Sequence, residues 1–127
     1  MNTMQLEING KEYEFKASIK FMRALNEKVK TKSGDREVEL GMTYALGGII
    51  GGEIEDLIDV LYAMNIGFSP RIKKEELEAY IEDCDDIDAL FKQVSDFLSK
   101  ANVSKKKYEQ LQKAMKQTSQ QTSQVKA

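Results

Sequence analysis

Histidine is absent from this chain of 127 residues, and with it go the commonest general base, the commonest transition-metal ligand and every Ser-His or Cys-His nucleophile pair. Catalysis would have to rest on carboxylates or lysine, and no acid, base and nucleophile converge on one cleft-forming segment. The chain is therefore expected to be no enzyme and to need no cofactor. A single cysteine, Cys84, rules out an internal disulfide; it falls on the apolar stripe of a helix and reads as a small buried hydrophobe. Long apolar runs are missing as well. The longest, Met42 to Ile50, includes a Thr and two Gly and is far short of the roughly 20 residues that span a bilayer. The opening MNTMQLEING lacks the basic-then-apolar build of a signal peptide, so a reduced, cytoplasmic protein is expected. Neither phosphate-cradle template, G-K-[ST] nor G-x-G-x-x-G, can be laid on the glycines.

What is present is patterning. Met4, Leu6 and Ile8 alternate with polar residues, Asn9-Gly10 follows, and Tyr13 and Phe15 alternate in turn, which predicts a two-residue β-hairpin. With Ile8 opposite Lys11, Leu6 faces Tyr13 and Met4 faces Phe15, so the large apolar groups share one side of the ribbon. Its expected cover is a helix from Ser18, a cap, to about Val29, with Ile19, Met22, Leu25 and Val29 at near-helical intervals. Lys30 to Arg36 then reads as a mobile loop around Ser33-Gly34-Asp35.

From Glu37 to Gly52 helix formers mix with five glycines, and a short helix from about Gly41 to Ile50, stopped by Gly51-Gly52, is predicted. The pairs Gly47/Gly51 and Gly48/Gly52 fit either that stop or the small-residue spacing of close-packed helices. Ile54, Leu57, Ile58, Leu61, Tyr62 and Asn65 form the next stripe, with acids in its first turns; Gly67 ends it and Ser69-Pro70 starts anew. Leu77, Tyr80, Ile81 and Cys84 follow, then a longer stripe from Ile87 to Ala101. Ser104 is placed as the cap of a last helix carrying Tyr108, Leu111 and Met115. The fold class is thus α+β: an N-terminal β-hairpin packed against a bundle of about five α-helices, predominantly helical. Residues 1–116 form one domain, and 117–127, with the repeat QTSQQTSQ, a flexible polar tail that has nothing apolar to bury.

Charge is segregated. Glu75 to Asp96 carries nine acids against Lys92, and Lys100 to Ala127 seven lysines against Glu109. This is either a solvated surface or a means of steering partners and stacking copies head to tail. In EDCDDID, residues Glu82, Asp83, Asp85, Asp86 and Asp88 could offer oxygens to a hard cation. The glycine and distal glutamate of a calcium loop are lacking, however, and acids at a helix start are what its dipole favours; no metal site is assigned. The lysine-rich end could belong to a small basic-ended adaptor for nucleic acid. Against that, Tyr108 is its only aromatic and the whole chain is slightly acidic.

The opening LEINGKEYEFKASIKFMRALNEK, the Gly-rich helix leading into EIEDLIDVLYAM, and EAYIEDCDDIDALFKQVSDFLSKAN followed by a lysine-rich helix together resemble the tail assembly chaperones of long-tailed, siphovirus-type phages and prophages of Gram-positive bacteria. The resemblance covers roughly Met4 to Met115. It implies a protein of the host cell cytoplasm that binds and solubilises the tape measure protein, helps recruit tail tube protein, and is absent from the mature virion. A frameshift-extended longer form is a further implication; independently of the resemblance, the segregated acidic and basic ends offer a way for copies to stack into a homo-oligomer, as a ring or spiral. Candidate protein-interaction residues are Met42, Tyr44, Leu46, Ile49 and Ile50 in the Gly-rich segment and Tyr108, Leu111 and Met115 in the last helix. Each segment either meets a partner or closes the domain's own core.

Overall fold

A computed structural model describes residues 3–126, with side chains described for residues 3–32 and 34–115. Strands β1 (Met4–Ile8) and β2 (Lys11–Phe15) pair antiparallel in the register read from the alternation, Leu6 opposite Tyr13 and Met4 opposite Phe15. Asn9 and Gly10 both take positive φ, 54° and 76°, which is the mirror-image turn whose twist suits a two-residue hairpin. Met4, Leu6, Ile8, Tyr13 and Phe15 are all buried on one face.

The cover of that face differs from the expectation. Helix α1 (Ile19–Asn26) packs on α2 (Gly41–Gly51) and α3 (Ile54–Met64), whereas β2 rests on α3 and β1 on α4 (Lys74–Glu82). Ser18 does cap α1, its Oγ accepting the Phe21 N–H at 3.1 Å. The buried stripe is Phe21 and Leu25, with Met22 at its margin, and Ile19 is left 52% exposed. The link between elements is held by the Lys16 N–H, which donates to the Met64 carbonyl at 2.8 Å and pins the end of β2 to the end of α3.

The segment read as a mobile loop is a second hairpin, β3 (Lys30–Ser33) with β4 (Arg36–Glu39), turning through Gly34 at φ 65°. No apolar alternation announces it. Its register instead sets Lys30 against Glu39 and Lys32 against Glu37, and opposite charges facing each other across strands stabilise a ribbon.

Helices α5 (Ile87–Lys100) and α6 (Lys105–Lys126) complete the fold, giving six helices among the described residues, close to the expected layout. α6 continues in the backbone through the residues read as a tail; their side chains lie outside the described residues. Ser104 stands before α6 but is no side-chain cap: it is fully buried and its hydroxyl donates back to the Leu98 carbonyl at 2.6 Å. Nor does a helix begin at Pro70. Helix α4 starts after Lys73, whose N–H donates to Glu76 Oε1 at 3.3 Å, while Tyr13 donates to the other oxygen of the same carboxylate at 3.3 Å. Among the described residues no helix is long and apolar enough to cross a membrane.

Two polar anchors hold α3 to its surroundings. Asp59 meets Lys28 at 3.0 Å and Lys74 at 3.6 Å. Asn65, fully buried at the end of α3, donates through Nδ2 to the Glu14 carbonyl at 2.8 Å and accepts through Oδ1 from the Ile72 N–H at 2.7 Å and from Arg71 at 3.1 Å. Buried polar groups are tolerated only when bonded in this way. The amide therefore joins the hairpin, α3 and the approach to α4 in one network.

Candidate functional site

The Gly-rich helix is the centre of the bundle. α2 packs against α1, α3, α5 and α6, as expected of a helix that is apolar nearly all round. Its glycines serve different purposes. A Cβ on Gly41 would stand 1.6 Å from the Leu25 carbonyl oxygen, and one on Gly48 would stand 1.8 Å from an Asp56 carboxylate oxygen. Those two positions bring α1 and α3 close to the α2 backbone. Gly52 takes φ 76° and closes the helix, its N–H reaching back to the Ile49 carbonyl at 3.3 Å. Gly47 and Gly51 face open space.

This geometry sorts the candidate residues. Leu46 and Ile49 are fully buried, 0% and 3% exposed, and Met42 is buried as well, its N–H bonded to Asn26 Oδ1 at 2.9 Å. Tyr108 is 2% exposed and its hydroxyl is bonded to Ser95 Oγ; burial, and then Asp96, push that hydroxyl above its ordinary pKa and keep it protonated. These four belong to the domain's own core. Ile50 and Leu111 are half-buried, while Tyr44 at 57% and Met115 at 36% are exposed. On α2, Tyr44, Gly47 and Gly51 recur at i, i+3 and i+7. They form one outward strip in which a tyrosine stands beside bare backbone.

The sequence placed two further exposed apolar residues, Ile19 and Ile54 (43% exposed), inside buried stripes. Both open their helices. The signal that could have set them apart is position: a first-turn residue is free to diverge from a stripe defined by the turns that follow it.

The acidic run is spent on helix ends. Asp86 caps α5 through the Ala89 N–H at 3.0 Å and Asp88 lies in the first turn. Among the described residues, no group of three or more His, Cys, Asp or Glu side chains is placed to hold a metal ion. Cys84 is half-buried rather than buried and lines a shallow pocket of about 360 Å³ with Tyr80, Asp83 and Asp85. On α6, Lys105 and Lys106 are exposed and Lys107 is partly covered.

A small, predominantly helical α+β domain with its remaining apolar exposure on helix faces is the class so defined. Residues 5–113 match the family described as phage tail assembly chaperone protein, TAC, and the chain belongs to that family. Searches of curated proteins and of solved structures returned no match.

Proposed function

We propose that this chaperone binds and solubilises the tape measure protein of a siphovirus-type phage or prophage of a Gram-positive host, and helps recruit tail tube protein to it. On this reading it acts in the host cytoplasm and leaves before the virion matures. A tape measure protein is expected to be a long amphipathic helix, and a chaperone for it needs an apolar contact repeated along the target. Weak single contacts then add through multivalency. Ring or spiral assembly of copies, drawn together by the acidic α4–α5 face and the basic α6, would supply that repetition. A frameshift-extended form carrying the tube-protein contact would continue from the polar residues 117–127.

The observation that carries the proposal is Tyr44, which stands 57% exposed on a helix whose Met42, Ala45, Leu46 and Ile49 are buried. Open space beside Gly47 and Gly51 leaves room for a second helix to approach the backbone closely. Met115 and Leu111 on α6 are the second candidate contact. Replacing Ile49 and Ile50 with serine would open the core at Ile49 and cannot separate binding from folding. Tyr44→Ala can. Co-expression with the long, helix-rich tape measure protein expected to be encoded just downstream should keep that protein in solution in a ratio of many copies of this chain to one. Tyr44→Ala should reduce the yield while leaving the thermal melt of the chaperone unchanged. Full retention by the variant removes α2 as the contact, and an insoluble partner alongside wild-type chaperone removes the function itself, provided the longer form has also been supplied.

A further inference from the structure

A groove of about 510 Å³ runs between the start of α1 and the turn joining α5 to α6. Its apolar part is Ala17, Ile19, Ala101 and Val103; its charged part is Lys16 and Lys20, and no acid lines it. The sign is opposite to that of the chain as a whole, whose net charge is −2. Ile19 is 52% exposed, so an apolar side chain stands without cover beside two exposed ammonium groups.

The walls are fixed by bonds that leave the groove itself free. On one side the Lys16 N–H is held by the Met64 carbonyl and Ser18 takes the Phe21 N–H. The N–H groups of Ile19 and Lys20, in the first turn of α1, have no carbonyl partner within the helix and add to the positive potential. On the other side the Ala101 N–H is held by the Phe97 carbonyl, the Ala101 carbonyl accepts the Lys105 N–H at 2.8 Å, and Ser104 is tied to Leu98. A preformed concave surface with an apolar floor and a rim of one sign binds without first having to be ordered.

We infer that this groove receives an amphipathic helix of a partner protein that sets an apolar side chain between carboxylates. Charge complementarity selects the occupant: two lysines and a helix start face it and no carboxylate repels it. Nucleic acid would find no aromatic side chain here on which to stack. The inference rests on the reading of the chain as a chaperone of a helical partner, but it occupies a different surface from the α2 strip and fails separately.

The test uses the full chain and a synthetic helix of about five turns with a leucine stripe flanked by glutamates, beside a twin in which lysines replace the glutamates. Fluorescence anisotropy should show binding of the glutamate helix only, weakening as salt shortens the Debye length from about 30 Å at 0.01 M to about 8 Å at 0.15 M. Lys16→Glu with Lys20→Glu, two exposed positions, should weaken it by about tenfold with an unchanged melt. Val103→Asp should also lose binding; if that variant melts early, the lysine pair decides alone. Equal binding of the twins, or no effect of the lysine pair, overturns the inference. So does light scattering in which the lysine pair turns an oligomeric wild type into monomers, since a second copy would then be the occupant. A chain that binds the glutamate helix yet fails to keep the tape measure protein soluble sinks the chaperone reading alone. Undiminished co-purification of that protein with the lysine-pair variant sinks the groove alone.

Discussion

Replacing Asn65 with alanine should cost about 2–4 kcal/mol, and the figure can be assembled bond by bond. The Ile72 N–H donates to Asn65 Oδ1 at 2.7 Å, and Ile72 is 1% exposed. With its acceptor gone this buried donor stays unpaired, at about 1–3 kcal/mol. The bond from Nδ2 to the Glu14 carbonyl, 2.8 Å long, adds its net worth of about 0.5–1.5 kcal/mol. Arg71 adds little, because its exposed guanidinium rehydrates and keeps the Tyr62 carbonyl at 2.8 Å and the Tyr62 ring at 4.0 Å. A domain stable by about 5–15 kcal/mol survives such a loss, so the variant should fold and remain measurable. Urea denaturation at pH 7 should show a lowered midpoint with an unchanged slope. The reasoning would be refuted by a loss under about 0.5 kcal/mol, the range of ordinary surface substitutions. Arg71→Ala is the control and should cost about 1 kcal/mol or less.

Gly41→Ala and Gly47→Ala should move thermal stability in opposite directions. The first drives a methyl into the Leu25 carbonyl and should cost at least about 1–3 kcal/mol of overpacking, while the second enters open space on a helix and should gain about 0.5–1 kcal/mol. Equal effects would mean that α1 does not approach α2 as described. Asp56 has its pKa raised by burial first and then by Asp59, Glu53 and Glu55. The folded state therefore holds this proton more tightly than the unfolded chain, and the sign follows: the stabilisation is present below the ordinary value of 3.8 and is lost as pH rises through the raised value. Asp56→Asn should remove that slope in urea midpoints measured across this window and should leave stability at pH 7 equal or higher; an unchanged slope would refute the assignment.

The first hairpin was legible residue by residue, because Asn9-Gly10 leaves one turn type open and a period of two admits one register with Leu6, Tyr13, Met4 and Phe15 on a single face. Local chemistry also settled the Ser18 cap, the existence of α2 and α3, and the stop at Gly52. The second hairpin escaped because its register rests on charge pairs rather than apolar alternation.

Which face of each element meets which neighbour is another matter, since it depends on groups distant in sequence. Asn65 lies on an apolar stripe, and only the folded chain brings the Glu14 carbonyl and the Ile72 N–H to it. The candidate contact residues divide for the same reason. The segment Met42–Ile50 is apolar on nearly every side, so its pattern does not say which side is covered. Four neighbouring helices bury Leu46 and Ile49 and leave Tyr44 outside. Periodicity is a property of a segment and fixed the elements; burial is a property of pairs of segments and was decided only when they packed.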